Sequence, residues 1–383
     1  MAKKRIILLG ATGSIGRQTM DVVEEFPDRF ELAALSCHGR WHGLAKSIAA
    51  HPDARLALSG FDGPAELPAG AKPPADMLFG PEGILRLIAE TEADIVVNGI
   101  AGAPGLSPSI QALRCGKDLA LANKESVVMG WDLLETAARE SGKMILPVDS
   151  EHASLFQLLR AVRNAQELVI TASGGAFRDR PLPSLAAARP DEAAAHPSWS
   201  MGRKISIDSA TMANKGLEVI EASRLFHFPP SAVKVLIHPQ SIVHALVRGG
   251  DGSLFANLSA PDMRLPILNA LAYPESLPSP FGRLDLAGQC LEFRAPDPER
   301  YPMLGLAYGA LEQGYGATIA YNAADEAAVA AFEAGAIGYC DMARVVETVL
   351  ARSWPRHPGN LDSVLACDGE ARQAAGAVIK EIR

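Results

Sequence analysis

Residues 5–16 read RIILLGATGSIG, and after Arg17 comes helical QTMDVVEEF. The apolar run Ile6–Leu9 fits a buried strand, Gly10, Gly13 and Gly16 fit a tight turn, and the next segment carries helical spacing. Strand, glycine turn and helix in that order are what a dinucleotide site requires. Glycine lets the backbone approach a pyrophosphate, and the helix N-terminus supplies free amide donors and a partial positive charge. GxxGxxG is a variant spacing with little specificity alone; its place between a strand and a helix gives it weight.

Reading outward, the next strand, FELAALS, ends in Ser36-Cys37-His38-Gly39-Arg40. An NAD site places Asp or Glu there against the ribose hydroxyls. No acid is present, and Arg40 is suited to the 2′-phosphate of NADP, the alternative being an ordinary solvated loop arginine. Up to residue 150, further strand-like runs (ADIVVNGI, DLALA, KMILPVD) alternate with helical segments such as SIQALRCG. This predicts an N-terminal Rossmann-like α/β domain, a doubly wound parallel sheet over residues 1–150. Residues 51–76, rich in Pro, Gly and Ala, read as a surface loop insertion. Residues 151–272 contain ELVITAS, KISID, KVLIHPQSIVHALVR and SLFANLS and predict a central α+β domain. Proline-rich residues 273–300 read as a linker, and alanine-rich residues 301–383 as a C-terminal helix bundle.

At 383 residues and 48% hydrophobic content, the chain is long enough for two or three domains with real cores. A net charge of −8 without a basic tract argues against a nucleic-acid surface and points to small-molecule partners. Five scattered cysteines with no CxxC pairing fit a reducing cytoplasm. No apolar stretch approaches the ~18 residues of a membrane helix, so no membrane partner is expected.

Two polar segments carry the chemistry. Pro147-Val-Asp149-Ser150-Glu151-His152 follows the apolar MIL, at the end of a strand; in an extended chain Asp149 and Glu151 point the same way. From His196 to Glu218 the chain reads HPSWSMGRKISIDSATMANKGLE, where ISID looks like a short strand and Ser209-Ala-Thr211 like a helix start. On that helix Asn214, Glu218 and Glu221 share a face. Asp149, Glu151 and Glu218 together make a hard-oxygen set suited to Mg²⁺ or Mn²⁺, whereas zinc calls for His or Cys. A surface D-S-E turn and an amphipathic helix with a solvated face are the plainer alternatives, and only the pairing of the two segments makes a site.

The chain resembles the 1-deoxy-D-xylulose 5-phosphate reductoisomerases over nearly its whole length. The resemblance rests on GATGSIG (10–16), LANKES (121–126), PVDSEH (147–152), ASGGAFR (172–178), the 196–218 stretch and HPQSIVH (238–244). It implies that Asp149, Glu151 and Glu218 hold the metal, and that Ser173, Ser209, Asn214 and Lys215 bind the phosphate of a sugar-phosphate substrate with help from His196. It further implies that Lys124 and Ser150 contact the substrate, that Thr12, Gly13, Ser14, Ile15 and Gly202 contact NADPH, and that Asn123 and Glu125 lie along it. Lys124, Glu151 and His196 are the candidate catalytic groups. A lid within about Ser173 to Arg203, with Trp199 closing over the substrate and Met201 beside it, and a homodimer are also implied.

The implied reaction rearranges 1-deoxy-D-xylulose 5-phosphate to a branched aldehyde, which NADPH reduces to 2-C-methyl-D-erythritol 4-phosphate in non-mevalonate isoprenoid synthesis. Where family members commonly carry Gly-Lys-Asn, this chain has Gly39-Arg40-Trp41. Arg40 keeps the cation, and Trp41 either stacks on adenine or turns into packing. A semialdehyde-type dehydrogenase would need a nucleophilic cysteine beside the polar clusters, and none is there. A non-catalytic NADP-binding regulator would have no use for three carboxylates and a phosphate cluster.

Overall fold

Ile6, Ile7, Leu8 and Leu9 have no exposed surface, as expected for the middle strand of a parallel sheet covered on both faces. They belong to β1 (Lys4–Leu9) of the computed structural model, which describes residues 2–199 and 202–382. In chain order there follow α1 (Ser14–Glu25), β2 (Phe30–Cys37), α2 (Trp41–Ala50), β3 (Arg55–Leu58), β4 (Leu78–Phe79), α3 (Gly80–Glu90), β5 (Ile95–Asn98), α4 (Leu106–Arg114), β6 (Asp118–Leu121), α5 (Lys124–Ser141) and β7 (Ile145–Pro147). The sheet has the order β4-β3-β2-β1-β5-β6-β7 with every pair parallel. Strand order reverses at β1, which places helices on both faces and a ligand crevice beyond the carboxyl end of β1. The 51–76 segment expected to be loop contributes β3 to this sheet, because Leu56, Ala57 and Leu58 pair with β2 and are buried.

The chain continues with α6 (Ser150–Ala161), β8 (Ala165–Ala172), α7 (Pro190–Ala193), α8 (Arg203–Thr211), α9 (Ala213–Leu225), β9 (Val233–Ile237), β10 (Val243–Gly249), β11 (Leu254–Leu258) and α10 (Arg264–Ala272). Four helices end it: α11 (Pro302–Gln313), α12 (Tyr315–Glu333), α13 (Asp341–Leu350) and α14 (Leu361–Ile382). The second sheet runs β11-β10-β8-β9, with β8 and β9 parallel and the other pairs antiparallel.

The chain divides into two compact units. The first holds the seven-stranded sheet and takes in Asp262–Phe281, where Lys4 Nζ donates to the carbonyls of Leu271 and Tyr273 at 2.8 and 3.0 Å. The second holds the four-stranded sheet, residues 127–131 and the C-terminal helices. In it, small side chains set the helix spacing. Ala317, Ala320, Ala323, Ala324 and Ala328 of α12 are fully buried, and a Cβ on Gly216 of α9 would lie 2.6 Å from Tyr321 Oη and 2.7 Å from Ala307 Cβ. Helix α9 therefore lies almost backbone-to-side-chain against α11 and α12, which fixes the helix that carries Asn214, Lys215 and Glu218.

Two further sequence expectations change. ISID is not a strand: it lies inside α8, where Lys204 pairs with Asp208 at 2.7 Å across one turn and Ser206 and Ser209 donate to the carbonyls of Gly202 and Ile205. A four-residue apolar alternation does not separate strand from helix, and burial of Ile207 and Ala210 decides for helix. Ser209-Ala-Thr211 ends α8, Met212 breaks the path in the left-handed region (φ 65°), and α9 starts at Ala213. Likewise, Asp149 and Glu151 are not alternate residues of a strand. Asp149 precedes α6, its carbonyl accepts from Ala153 N and its Oδ1 from Ser150 N, and Glu151 sits in the first helical turn, where the helix dipole favours a carboxylate.

Candidate active site

The glycine turn stands at the carboxyl end of β1. A Cβ on Gly16 would lie 2.4 Å from Gly10 O and 2.5 Å from Ala11 Cα, so only glycine lets α1 start this close to the strand. Helix α1 has no side-chain cap and no acid in its first turn; its opening amides, between Gly13 and Gly16, are left for a ligand. Beside them is a cleft of about 550 Å³ lined by Ala11, Thr12, Arg17, Met20, Gly39, Arg40, Trp41, His42, Gly43 and Pro68. Arg40 is exposed and its Nη1 reaches Thr12 O at 3.4 Å. Trp41 is 7% exposed, so most of the indole is packed and only an edge contributes to the wall. Arg17 was not singled out from the sequence; it follows the third glycine and points along α1 into the same cleft. Pro68 shows that the 51–76 segment also reaches this site.

In the same unit, Asn123 caps α5. Its Oδ1 accepts from Ser126 N, and its Nδ2 donates to Ile100 O, Gly102 O and Glu125 Oε2 at 2.8, 3.0 and 2.8 Å. Behind it, Asn98 Nδ2 donates to Ser109 Oγ and Gly105 O. These buried and part-buried bonds hold Asn123 and Glu125 in one geometry.

Lys124, the first residue of α5, places Nζ 2.7 Å from Asp149 Oδ2, and buried His152 places Nδ1 3.5 Å from the same oxygen. Burial works to raise the Asp149 pKa, but the Lys124 ammonium and His152 outweigh it and hold the carboxyl below the usual range. Ser150 Oγ donates to Glu151 Oε2 at 2.5 Å. Lys124, Asp149, Ser150 and Glu151 thus form one cluster in the first unit.

The second unit assembles the other set. After β8, Ser173 leads into Gly174-Gly175; Gly175 has φ +68°, and a Cβ there would lie 2.4 Å from Ser209 O and 2.5 Å from Ala210 Cα. The loop therefore presses on the end of α8. His196 Nδ1 accepts from the backbone N–H of Ser198 and Trp199, at 3.2 and 2.9 Å, so Nε2 carries the proton and donates to Ser173 Oγ at 2.8 Å. Burial, then the positive charges of Arg178 and Lys215, depress the His196 pKa to about 4, in keeping with a neutral ring. Arg178 Nη1 donates to Ser173 O at 2.7 Å; this cation also went unread in the sequence, although it closes the ASGGAFR motif.

On α9, Glu218 is 1% exposed, accepts from Asn214 Nδ2 at 2.6 Å and pairs with Lys215 Nζ at 2.5 Å. The polar face is thus buried rather than solvated. Ser209 spends its hydroxyl proton on Ile205 O. Trp199 stands edge-on to His244 with ring centroids 6.2 Å apart. Gly202 precedes α8, and Met201 lies outside the described residues.

The family profile for 1-deoxy-D-xylulose 5-phosphate reductoisomerase matches residues 6–130, that of its C-terminal domain residues 145–226, and a second DXP reductoisomerase C-terminal domain profile residues 258–374. The reductoisomerase of Treponema denticola is 44% identical, covering 99% of this chain and 98% of its own; that of Cupriavidus metallidurans is 46% identical, covering 98% of each. A crystal structure of DOX-P reductoisomerase in complex with NADPH, fosmidomycin and magnesium superposes with a TM-score of 0.92 at 39% identity over 98% of both chains. The Zymomonas mobilis enzyme in complex with NADPH gives 0.88 at 39% identity over 99% of this chain and 100% of that one. The chain belongs to the 1-deoxy-D-xylulose 5-phosphate reductoisomerase family.

Proposed function

We propose that this chain performs the reaction of its family: NADPH-dependent rearrangement and reduction of 1-deoxy-D-xylulose 5-phosphate to 2-C-methyl-D-erythritol 4-phosphate, with a divalent metal. The observation that carries it is the pairing of two kinds of site in one family fold: an uncapped helix N-terminus beside exposed arginines, and buried acids each held by an ammonium.

Asp149, Glu151 and Glu218 are the metal ligands of this reading. The donors fit: all are carboxylates, and Asp149 and Glu218 already hold the cations of Lys124 and Lys215, so both are ionised acceptors. When bound, the cation polarises substrate oxygens and NADPH supplies the hydride. The phosphate goes to Ser173, Ser209, Asn214, Lys215 and His196. Neutral His196 gives it an N–H from Nε2 rather than a charge, and Lys215 supplies the charge. Lys124 and Ser150 orient the sugar, and Lys124, Glu151 and His196 are the groups able to hold a proton near it. Trp199 and Met201 exclude water. Thr12, Gly13, Ser14, Ile15 and Gly202 hold the pyrophosphate and nicotinamide ribose, Gly39, Arg40 and Trp41 the adenosine end, and Asn123 and Glu125 the length of the cofactor.

A cytoplasmic homodimer completes the reading. No helix among the described residues is long and apolar enough to cross a membrane. Strand β11 is a short sheet edge with Leu254 and Phe255 exposed, and Leu286, Leu291 and Phe293 of the same unit are exposed as well; an open edge with exposed apolar side chains offers a surface to a second copy.

Calorimetric metal titration of Asp149→Asn, Glu151→Gln and Glu218→Gln tests the metal reading. Each is expected to keep NADPH binding and weaken metal at least ~10-fold, with turnover down roughly 10³-fold for loss of several kcal/mol of charge stabilisation. Unchanged metal binding in all three contradicts the ligand set, and a monomeric mass in sedimentation contradicts the dimer.

A further inference from the structure

In the cleft beside α1, Arg17 Nη1 donates to Thr12 O at 2.8 Å, and Arg40 Nη1 approaches the same oxygen at 3.4 Å. One guanidinium comes from the first helix and the other from the loop after β2, and both line the cleft. Neither has a carboxylate within ion-pair range among the described residues. Both guanidinium groups approach one carbonyl oxygen, and like charges held that close repel. A shared carbonyl offsets part of that repulsion but carries no net charge. Each guanidinium spends one of its five donors on Thr12 O and keeps the rest for the cleft.

We infer that Arg17 is a specificity-determining residue for NADPH: with Arg40 it forms a two-guanidinium clamp on the 2′-phosphate of the cofactor. The inference rests on reading this cleft as the adenosine end, and it goes beyond that reading by giving half of the selectivity to a residue outside the loop after β2. Three features support a phosphate monoester as the occupant. The ligand must be anionic, because two unpaired cations face it. It must accept several donors at once, because two planar forks converge on it. It must also reach the uncapped start of α1, where the pyrophosphate of a dinucleotide binds. Trp41 fits beside this clamp as packing that fixes the start of α2, and hence Arg40, since most of its surface is covered.

The test is binding of NADPH and NADH, read by nucleotide fluorescence without substrate or metal, on the full chain and on Arg17→Gln. Glutamine is shorter but keeps some hydrogen bonding and removes the charge, and the exposed position leaves folding intact, which circular dichroism checks. The wild type is expected to prefer NADPH. In Arg17→Gln the Kd for NADPH rises about 10-fold, while that for NADH moves less than about twofold; Arg17→Lys restores part of the loss. A variant that keeps the wild-type preference overturns the role of Arg17 and leaves the cleft assignment standing. Equal weakening of both nucleotides overturns it too, because the contact is then not to the 2′-phosphate. A wild type without preference overturns the clamp together with the reading of the cleft.

Discussion

At the cleft beside α1, Arg17 and Arg40 stand exposed and share only a carbonyl, whereas the acids Asp208 of α8 and Glu218 of α9 are buried and each faces a cation. Lys215 and Asn214 hold Glu218, and Lys204 Nζ lies 2.7 Å from Asp208 and 3.2 Å from Asp325. Burial raises the Asp325 pKa even against Lys204. Unmatched exposed charge marks a surface that waits for a ligand, and its removal weakens binding while sparing the fold. Matched buried charge is part of the frame, and breaking one partner leaves the other desolvated and uncompensated. Mutations in the two regions should therefore fail in different ways.

The largest effect on stability is expected at Arg224. Helix α5 breaks at Gly130 (φ −140°, ψ 34°), and Arg224 Nη1 donates to the carbonyls of Val127 and Val128 at 2.9 and 2.5 Å, with Nη2 on Thr318 Oγ1 at 2.7 Å. Its guanidinium also stacks 4.0 Å above the Tyr315 ring. Arg224→Met keeps the aliphatic packing and strands buried acceptors, so urea unfolding should show a loss of about 3 kcal/mol. A loss under ~1 kcal/mol would place this arginine with the exposed charges instead.

At the other extreme of the comparison, Arg40→Ala should leave the melting temperature alone and raise the Michaelis constant for NADPH. The expected factor is about 10, the low end for a charge-assisted contact because the side chain is exposed. The constant for NADH should stay put, and an unaltered NADPH-to-NADH ratio would remove Arg40 from the 2′-phosphate.

A pH dependence separates the two regions further. His196 titrates near 4 in the folded protein against an ordinary 6.5. Between those values the unfolded chain binds the extra proton, so stability falls as pH drops from about 6.5 towards 4. His196→Gln should flatten that part of the curve. An NMR titration placing the ring pKa at or above 6.5 would contradict the neutral Nε2–H donor.

How much of this was legible in the sequence follows the same division. The first unit could be read because strand, glycine turn and helix are contiguous, and each part's chemistry is local: the glycines of residues 10–16 and the missing acid after β2 sit within a few residues of what they do. In the second unit, ISID was misread because its helical state is set by Lys204–Asp208 pairing and by burial against distant helices, neither of which a four-residue pattern reveals. Asp149 and Glu151 were placed on a strand since nothing in MILPVDSEH marks where strand yields to helix except Asp149 itself as cap. Arg17 was missed because a lone arginine on an amphipathic helix looks solvated, and only its distance to Thr12 O relates it to Arg40. The residues of the phosphate and metal sets came from long motifs shared with a family, not from periodicity.

The most direct test of the central claim follows NADPH absorbance with 1-deoxy-D-xylulose 5-phosphate, with and without chelator. Oxidation that yields 2-C-methyl-D-erythritol 4-phosphate, stops with chelator and returns with Mg²⁺ or Mn²⁺ is the predicted result. No oxidation in the presence of metal, or oxidation that chelator leaves untouched, would contradict it.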